Sequence, residues 1–541
     1  MKANMRIILF CILLLPAVQV AAHKADSLST PDNWFTLDRE HDNVAGVSAD
    51  RVHTLYKDSA SVTVVVAIVD SGVDINHADL AGKLWVNPGE VAGNGLDDDK
   101  NGYIDDVNGW NFIGGPTGNV KEDTHEMTRE YVRLRKLFSD QDTLTFSDEE
   151  IKEYEYWKKL KRNFENTYMD VRKKYSFYSN LMYNVIYFDS LVSRDIGKDT
   201  LTLSILNNYT PKDSMNILGR DILKMVLGSA PVPVSVPEMK EELRVVEKYY
   251  KDQLDYTYNT AFNSRNIVGD NYEDIDERFY GNPDVIGPDP MHGTHVAGIV
   301  GANRNNNIGI RGVAEKVMLM PIRIIPEGDE RDKDVANAIY YAVDNGARVI
   351  NLSMGKSYSP GKRAVDKAVK YAEDHGVLIV HASGNNGKDT FYRKRFPIRE
   401  YQDSSGVASN WIEVGASAWK LDKDLAGSFS NYGGRTVDVF APGVEMRSTV
   451  NEDSYAVHEG TSMAAPVVAG VAAVLWSYYP TLSCEQVKSI ILESVYKPDI
   501  EVYRPGNEAD IVSFSELSIS GGIVNAYQAL LMANDIVRKK K

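Results

Sequence analysis

Asp70, His292 and Ser462 each stand in a short motif able to carry chemistry, and their types complement one another. Asp70 follows the apolar run Ser61 to Val69, in Val69-Asp70-Ser71-Gly72-Val73-Asp74. Alone, a carboxylate there caps a turn or orients a base. His292 opens His292-Gly293-Thr294-His295-Val296-Ala297-Gly298. These small residues let a helix begin close to a sheet, with an imidazole at its exposed end. The two histidines at i and i+3 lack the Glu of the zinc-protease motif, so zinc is not expected. Ser462 lies in Gly460-Thr461-Ser462-Met463-Ala464-Ala465-Pro466, at the head of an Ala/Val-rich stretch. A single Ser there is an ordinary helix cap. The three together outweigh these separate readings. A serine hydroxyl is a weak nucleophile at its own pKa; an imidazole has to take its proton, and a carboxylate has to hold that imidazole in one tautomer.

Such residues need elements that bring them together across hundreds of positions. Strands are expected at Ser61 to Val69, Ala347 to Ser353, Val377 to Ser383, Ile412 to Gly415 and Val437 to Phe440. Helices are expected at Asp332 to Asp344, near Arg363 to Asp374, and from Met463 to about Tyr479. Continuous β-branched strands alternating with helices predict an α/β fold: a doubly wound, mainly parallel sheet with helices on both faces. Sites on such sheets lie beyond the carboxyl ends of the strands.

The order Asp, His, Ser is that of subtilisin, and the three motifs resemble the signature blocks of the subtilisin-like (subtilase, peptidase S8-type) serine endopeptidases. The resemblance covers roughly 60–115 and 285–535. It implies hydrolysis of protein or peptide substrates through an acyl-enzyme on Ser462, with His292 as base and Asp70 as its orienting group. Ser383-Gly384-Asn385-Asn386-Gly387 is similar to the family segment whose Asn donates to the oxyanion, which points to Asn385. Ser353-Met354-Gly355 resembles the substrate-binding edge, where peptide backbone adds as a strand; with Gly384 it implies the substrate-binding residues. The family usually has a second Gly next, and here Lys356 takes that place, which bears on access to the pocket beyond.

Metal is a secondary expectation. Asp97, Asp99, Asn101 and Asp105 offer oxygen at alternate positions with Gly102 sixth, as in an EF-hand-type loop, but Asn108 replaces the terminal Glu. A solvated acidic turn is the other reading. Asp79 and Asn306, the latter in Asn305-Asn306-Asn307-Ile308-Gly309, resemble side-chain ligands of the family's tight calcium site. Ca²⁺ is thus the one cofactor expected, as a structural ion.

The 541 residues carry 60 Lys+Arg against 76 Asp+Glu, a net charge of −16. That acidity argues against nucleic acid or an anionic membrane as partner. Residues 1–22 read as a secretory signal: Lys2 and Arg6, the apolar run Ile7 to Leu15, then Val20-Ala21-Ala22. No later run is long and apolar enough to anchor the chain, so an exported protein, periplasmic or extracellular, is expected. Residues 23–60 form an N-terminal arm too short for an ordinary independent prodomain, with Trp34, Leu37 and Val47 as candidate anchors. Catalytic segments are expected at 61–115 and 285–541. Between them, 116–284 reads as an all-α insertion. Residues 116–290 hold only 7 of 40 glycines but 15 of 30 tyrosines. Ser147 and Glu150 form a capping box ahead of an apolar stripe from Ile151 to Met182, and a second stripe follows Pro237. Its position between two of the three chemical residues motivates a substrate-restricting role. A transpeptidase or dedicated maturation protease on the same scaffold, and an inactive binding module, are the alternatives. Cys484, at a helix start with no His nearby, is expected to be a packed thiol.

Overall fold

The computed structural model describes residues 30–139 and 146–540, so the signal segment 1–22 lies outside the described residues. Seven strands make the central sheet: β1 (Val64–Asp70), β2 (Trp110–Asn111), β3 (Val317–Arg323), β4 (Val349–Leu352), β5 (Leu378–Ala382), β6 (Trp411–Ser417) and β7 (Val439–Pro442). All pairings are parallel, in the spatial order β2-β3-β1-β4-β5-β6-β7. The winding changes side between β1 and β4, and the crevice at their carboxyl ends is where such a sheet places its ligand site. Of these strands, the two-residue β2 and the longer β3 have no counterpart among the expected ones; in β3 the reason is local. Pro321 interrupts its apolar run, and proline ordinarily marks an edge. It is tolerated because pairing with β2 begins only at Ile322, one residue later.

The helices are α1 (Ala49–Leu55), α2 (Glu126–Phe138), α3 (Asp148–Ile196), α4 (Ser214–Gly228), α5 (Val236–Asp252), α6 (Met291–Gly301), α7 (Asp332–Asp344), α8 (Lys362–Asp374), α9 (Thr461–Tyr478) and α10 (Cys484–Glu493), among shorter ones. Alternation along β1 shows how they divide. Val64, Val66 and Ile68 enter a buried cluster with residues of α1, α6, α9 and α10. Ala67 and Val69 point the other way, into a cluster with α7 and α8. The α/β class and its two covered faces are therefore as the sequence predicts. Helix α9 is apolar and long enough to cross a membrane, but it is a buried core helix.

The N-terminal arm belongs to this core. Trp34, Phe35, Val47 and Val52 are buried in the first cluster and Leu37 packs against it. Trp34 Nε1 donates to the Glu445 carbonyl at 3.3 Å, and the Ala526 amide donates to the Val47 carbonyl at 2.8 Å.

Two compact units divide the described residues: 169–252 with Thr30, and 31–139, 146–168 and 253–540. In the larger unit, the Ser147 amide and hydroxyl meet Glu150 Oε2 at 2.8 and 2.7 Å, starting α3 as the capping box requires. The stripe residues Trp157, Leu160 and Phe164 are buried, and Tyr131 of α2 stacks on Phe164 with centroids 4.1 Å apart. In the smaller unit, Tyr178 stacks on Tyr250 at 5.5 Å and Lys240 pairs with Asp189 at 2.8 Å. Several residues of 116–284 are wired into the larger unit through buried charge. Asp123 meets Arg331 at 2.8 Å, Glu126 meets Lys356 at 2.7 Å, and Arg265 meets Asp334 at 2.8 Å.

Candidate active site

Asp70 is the last residue of β1, and His292 lies in the first turn of α6. His292 Nδ1 and Asp70 Oδ1 are 2.7 Å apart, with the carboxylate wholly buried and the imidazole 36 % exposed. The same carboxylate oxygen accepts from the Ser71 amide at 2.7 Å. Gly293 permits this approach: a Cβ there would stand 2.1 Å from the Gly72 carbonyl oxygen and 3.0 Å from Asp70 Cβ. Thr294 fixes the helix start, with its hydroxyl donating to the Pro290 carbonyl at 2.6 Å and accepting from the Asp74 amide at 2.8 Å. Burial disfavours the charged imidazole, but the Asp70 charge and hydrogen bond outweigh it and hold the His292 pKa above its ordinary 6.5. His295 behaves oppositely. Buried, with Nε2 against the Met446 and Ala456 carbonyls at 3.0 and 3.2 Å, its pKa falls to about 3, chiefly by desolvation. It is a neutral packing histidine.

Ser462 occupies the first turn of α9. Its hydroxyl donates to the Ser353 carbonyl at 3.3 Å rather than to His292, while Ser353 Oγ donates back to the Ser462 carbonyl at 2.8 Å. Loose hydroxyl geometry is common where no substrate is bound. Ser353 directly follows β4, and Ser383-Gly384-Asn385 follow β5, so both segments reach α9 from the carboxyl ends of their strands. Asn385 Oδ1 accepts from the Thr461 amide and hydroxyl, both at 2.9 Å. That anchorage commits the oxygen and leaves the Nδ2 hydrogens to an incoming acceptor. The Thr461 hydroxyl also accepts from the Gly384 amide at 3.0 Å. Gly384 has φ +100°, and a Cβ would lie 2.7 Å from Asn431 Nδ2.

Lys356 does not obstruct this edge. Its side chain is buried, with Nζ 2.7 Å from Glu126 Oε2 and 2.8 Å from Asp332 Oδ1. Arg395 stands there instead, without a signal in the sequence. A Cβ at Gly355 or Gly384 would meet Arg395 atoms at 3.7 and 3.3 Å, and its guanidinium donates to the Gly355 carbonyl. A cavity of about 300 Å³ opens beside His292, between Ser353-Met354-Gly355 and the segment 325–330 that follows β3. Its acidic residues Glu327, Asp329 and Glu330 escape sequence reading because β3 itself does.

The expected metal residues are placed as follows. Asp79 Oδ1 accepts from Asn306 Nδ2 at 2.7 Å and Oδ2 from the Ile310 amide at 2.9 Å, so the two meet as a hydrogen-bonded pair. Asp97 and Asp99 converge on the Asn101 amide at 3.0 and 3.1 Å. Asp105 turns away to the Gly93 and Gly95 amides, both at 2.8 Å. The carboxylates that gather are Glu90, Asp99 and Asp106, with one oxygen of each within 4.8 Å of the others. Glu90 Oε2 is buried there without a partner. Cys484 is buried, and burial pushes its thiol up to about 12.

A parallel α/β sheet that sets Asp70 against His292 at one strand end and Ser462 against Ser353 at the next has the layout of a serine hydrolase. The Subtilase family (peptidase S8) matches residues 61–510, and the chain belongs to that family. Thermitase of Thermoactinomyces vulgaris is 35% identical over 270 residues, 49% of this chain and 85% of that protein. The thermophilic serine proteinase of Bacillus sp. (strain AK1) is 44% identical over 195 residues, 35% of this chain and 44% of its own length. A solved protease of Pseudoalteromonas arctica PAMC 21717 is 27% identical over 47% of this chain and 78% of that one, with a TM-score of 0.38.

Proposed function

We propose that this chain is an exported endopeptidase that cleaves peptide bonds through an acyl-enzyme on Ser462. The observation that carries the reading is the His292–Asp70 pair at 2.7 Å, with its carboxylate fully buried at the end of β1. Asp70 fixes the ring so that Nδ1 holds the proton and Nε2 is free to act as base. Ser462 Oγ turns from the Ser353 carbonyl, gives its proton to His292 and attacks the substrate carbonyl. The oxyanion accepts from Asn385 Nδ2 and the Ser462 amide, which as an N-terminal helix amide has no intrahelical partner. His292 then protonates the leaving amine, and water hydrolyses the ester by the same route in reverse. The substrate backbone pairs with Ser353-Met354-Gly355, as an added strand does, with Gly384 on the opposite wall.

Ca²⁺ fits the Glu90, Asp99 and Asp106 cluster, an all-oxygen donor set with one buried, unpartnered oxygen. Bound there, it would neutralise the gathered carboxylates and hold the 90–106 loop. Thermal unfolding checks this: Ca²⁺ at a hundredfold excess over its Kd stabilises by about 2.7 kcal/mol, and a chelator reverses the gain. A melting temperature indifferent to both rejects the site.

Fluorophosphonate labelling of the purified 23–541 protein, beside Ser462→Ala, tests the catalytic reading. Labelling confined to the unsubstituted protein supports it. A folded protein that takes no label argues for the binding-module alternative.

A further inference from the structure

The cavity beside His292 carries a charge pattern that peptide-bond hydrolysis does not require. Asp289, Glu327, Asp329 and Glu330 all line it. Lys121 offsets Glu327 at 3.2 Å. Among the described residues, no lysine or arginine pairs with the side chains of Asp289, Asp329 or Glu330; the nearest counter-charge to Asp329 is His125 at 3.9 Å.

Glu330 stands out within this set. It is only 3 % exposed, and its Oε1 is buried without a hydrogen-bond partner. A buried polar atom left unpaired is costly, and such an atom in a native structure calls for a functional explanation. The cations around it are committed elsewhere. Lys356 Nζ is held by Glu126 and Asp332 and hydrogen-bonds the main-chain carbonyl of Glu330 at 2.8 Å; its charge acts on the buried Glu330 carboxylate without forming an ion pair with it. Arg129 donates to the same carbonyl at 3.1 Å. The Arg323 guanidinium is spent on the Ser71 and Val120 carbonyls at 2.8 and 2.5 Å. Arg395 donates to the Gly355 carbonyl. None of these cations forms an ion pair with the side chain of Asp289, Asp329 or Glu330, and on the endopeptidase reading a peptide lying along Ser353-Met354-Gly355 would pass the cavity, which those three residues also line.

We propose that Glu330, with Asp289 and Asp329, makes this cavity a receiving site for a lysine or arginine side chain of the substrate, so that peptides with a basic residue close to the scissile bond are selected. The inference rests on the endopeptidase reading for the position of the peptide, and its test is separable from that reading. Fluorescein-labelled octapeptides, in which one lysine replaces norleucine at successive positions, are titrated by anisotropy onto the full chain carrying Ser462→Ala. The same titration is made on Ser462→Ala with Glu330→Gln. At one position, lysine is expected to tighten binding at least about tenfold, the value of one charge-assisted hydrogen bond. Glu330→Gln is expected to remove most of that ratio. Equal affinity of lysine and norleucine peptides at every position overturns the proposal, and so does a lysine preference untouched by Glu330→Gln. If the double variant does not fold, the single-variant series decides by the same tenfold criterion. Fluorophosphonate labelling of the unsubstituted chain, run in parallel, reads the hydrolase assignment independently of any charge preference.

Discussion

At the scale of single residues, the proposed mechanism makes the His292–Asp70 pair set both the rate and its pH dependence. The Asp70 charge holds the His292 pKa above 6.5, and general-base action needs the neutral ring. The rate kcat/KM is therefore expected to rise with pH through a value above 6.5. Stability runs the other way. A raised histidine pKa stabilises the fold fully below the unfolded-state value, and this contribution fades as pH climbs past the folded one. Asp70→Asn removes the charge but keeps the burial, so the acid limb should move below 6.5 while kcat falls about 10⁴-fold. A pH–rate profile of the residual activity checks both; an unmoved limb would assign the titration to another group. Arg395 has a different lever. Its guanidinium occupies the Gly355 carbonyl, which an added substrate strand would use. Arg395→Ala should lower KM about tenfold, the value of one charge-assisted hydrogen bond, with kcat little changed. Steady-state kinetics on one peptide decide it, and an unchanged KM argues that substrate does not pair at Gly355.

The elements explain why part of the site is legible in the sequence and part is not. Asp70 and Asn385 lie at or just beyond the ends of strands whose apolar runs are plain, and His292 and Ser462 head helices marked by their small-residue motifs, so element ends and chemistry coincide. Helices α7 and α8 start within a residue of expectation for the same reason. Strand β3 fails that test because Pro321 breaks the run, and with it goes the 325–330 loop that walls the cavity. Arg395 and Asp106 are beyond local reading altogether. One comes from an irregular loop, and the other replaces Asp105 in the carboxylate cluster through a one-residue difference in side-chain direction. The arm 23–60 is too short to be a domain by its length, and the burial of Trp34, Phe35, Val47 and Val52 gives the physical counterpart: its described part packs as a layer of the core. Trp34 is among the largest fully buried side chains. Trp34→Ala should therefore cost about 3–5 kcal/mol, measurable by urea denaturation. A loss below 1 kcal/mol would show that the arm is peripheral and removable.

For the whole molecule, the question is how much of 116–284 the catalytic unit can lose. Excising all of it strands three buried charges. Asp334 is wholly buried and depends on Arg265 and the Tyr280 hydroxyl, Arg331 on Asp123, and Lys356 in part on Glu126. Breaking one buried pair costs about 3–5 kcal/mol, and three such losses reach the roughly 5–15 kcal/mol that holds a domain together. Removing only 169–252, bridged by a short Gly/Ser linker, leaves all three pairs intact. The shorter excision is expected to melt cooperatively within a few degrees of the full chain, whereas removal of 116–284 yields no folded protein by calorimetry. The shorter product also isolates the role of the helical unit. Its place in the chain between Asp70 and His292 makes restriction of substrate entry the reading to test, and the folded excision product should then cut a wider set of peptides at an unchanged acylation rate. An identical cleavage pattern would remove substrate restriction from the account. The 169–252 unit would then have to be explained by a partner it binds or by a contribution to folding.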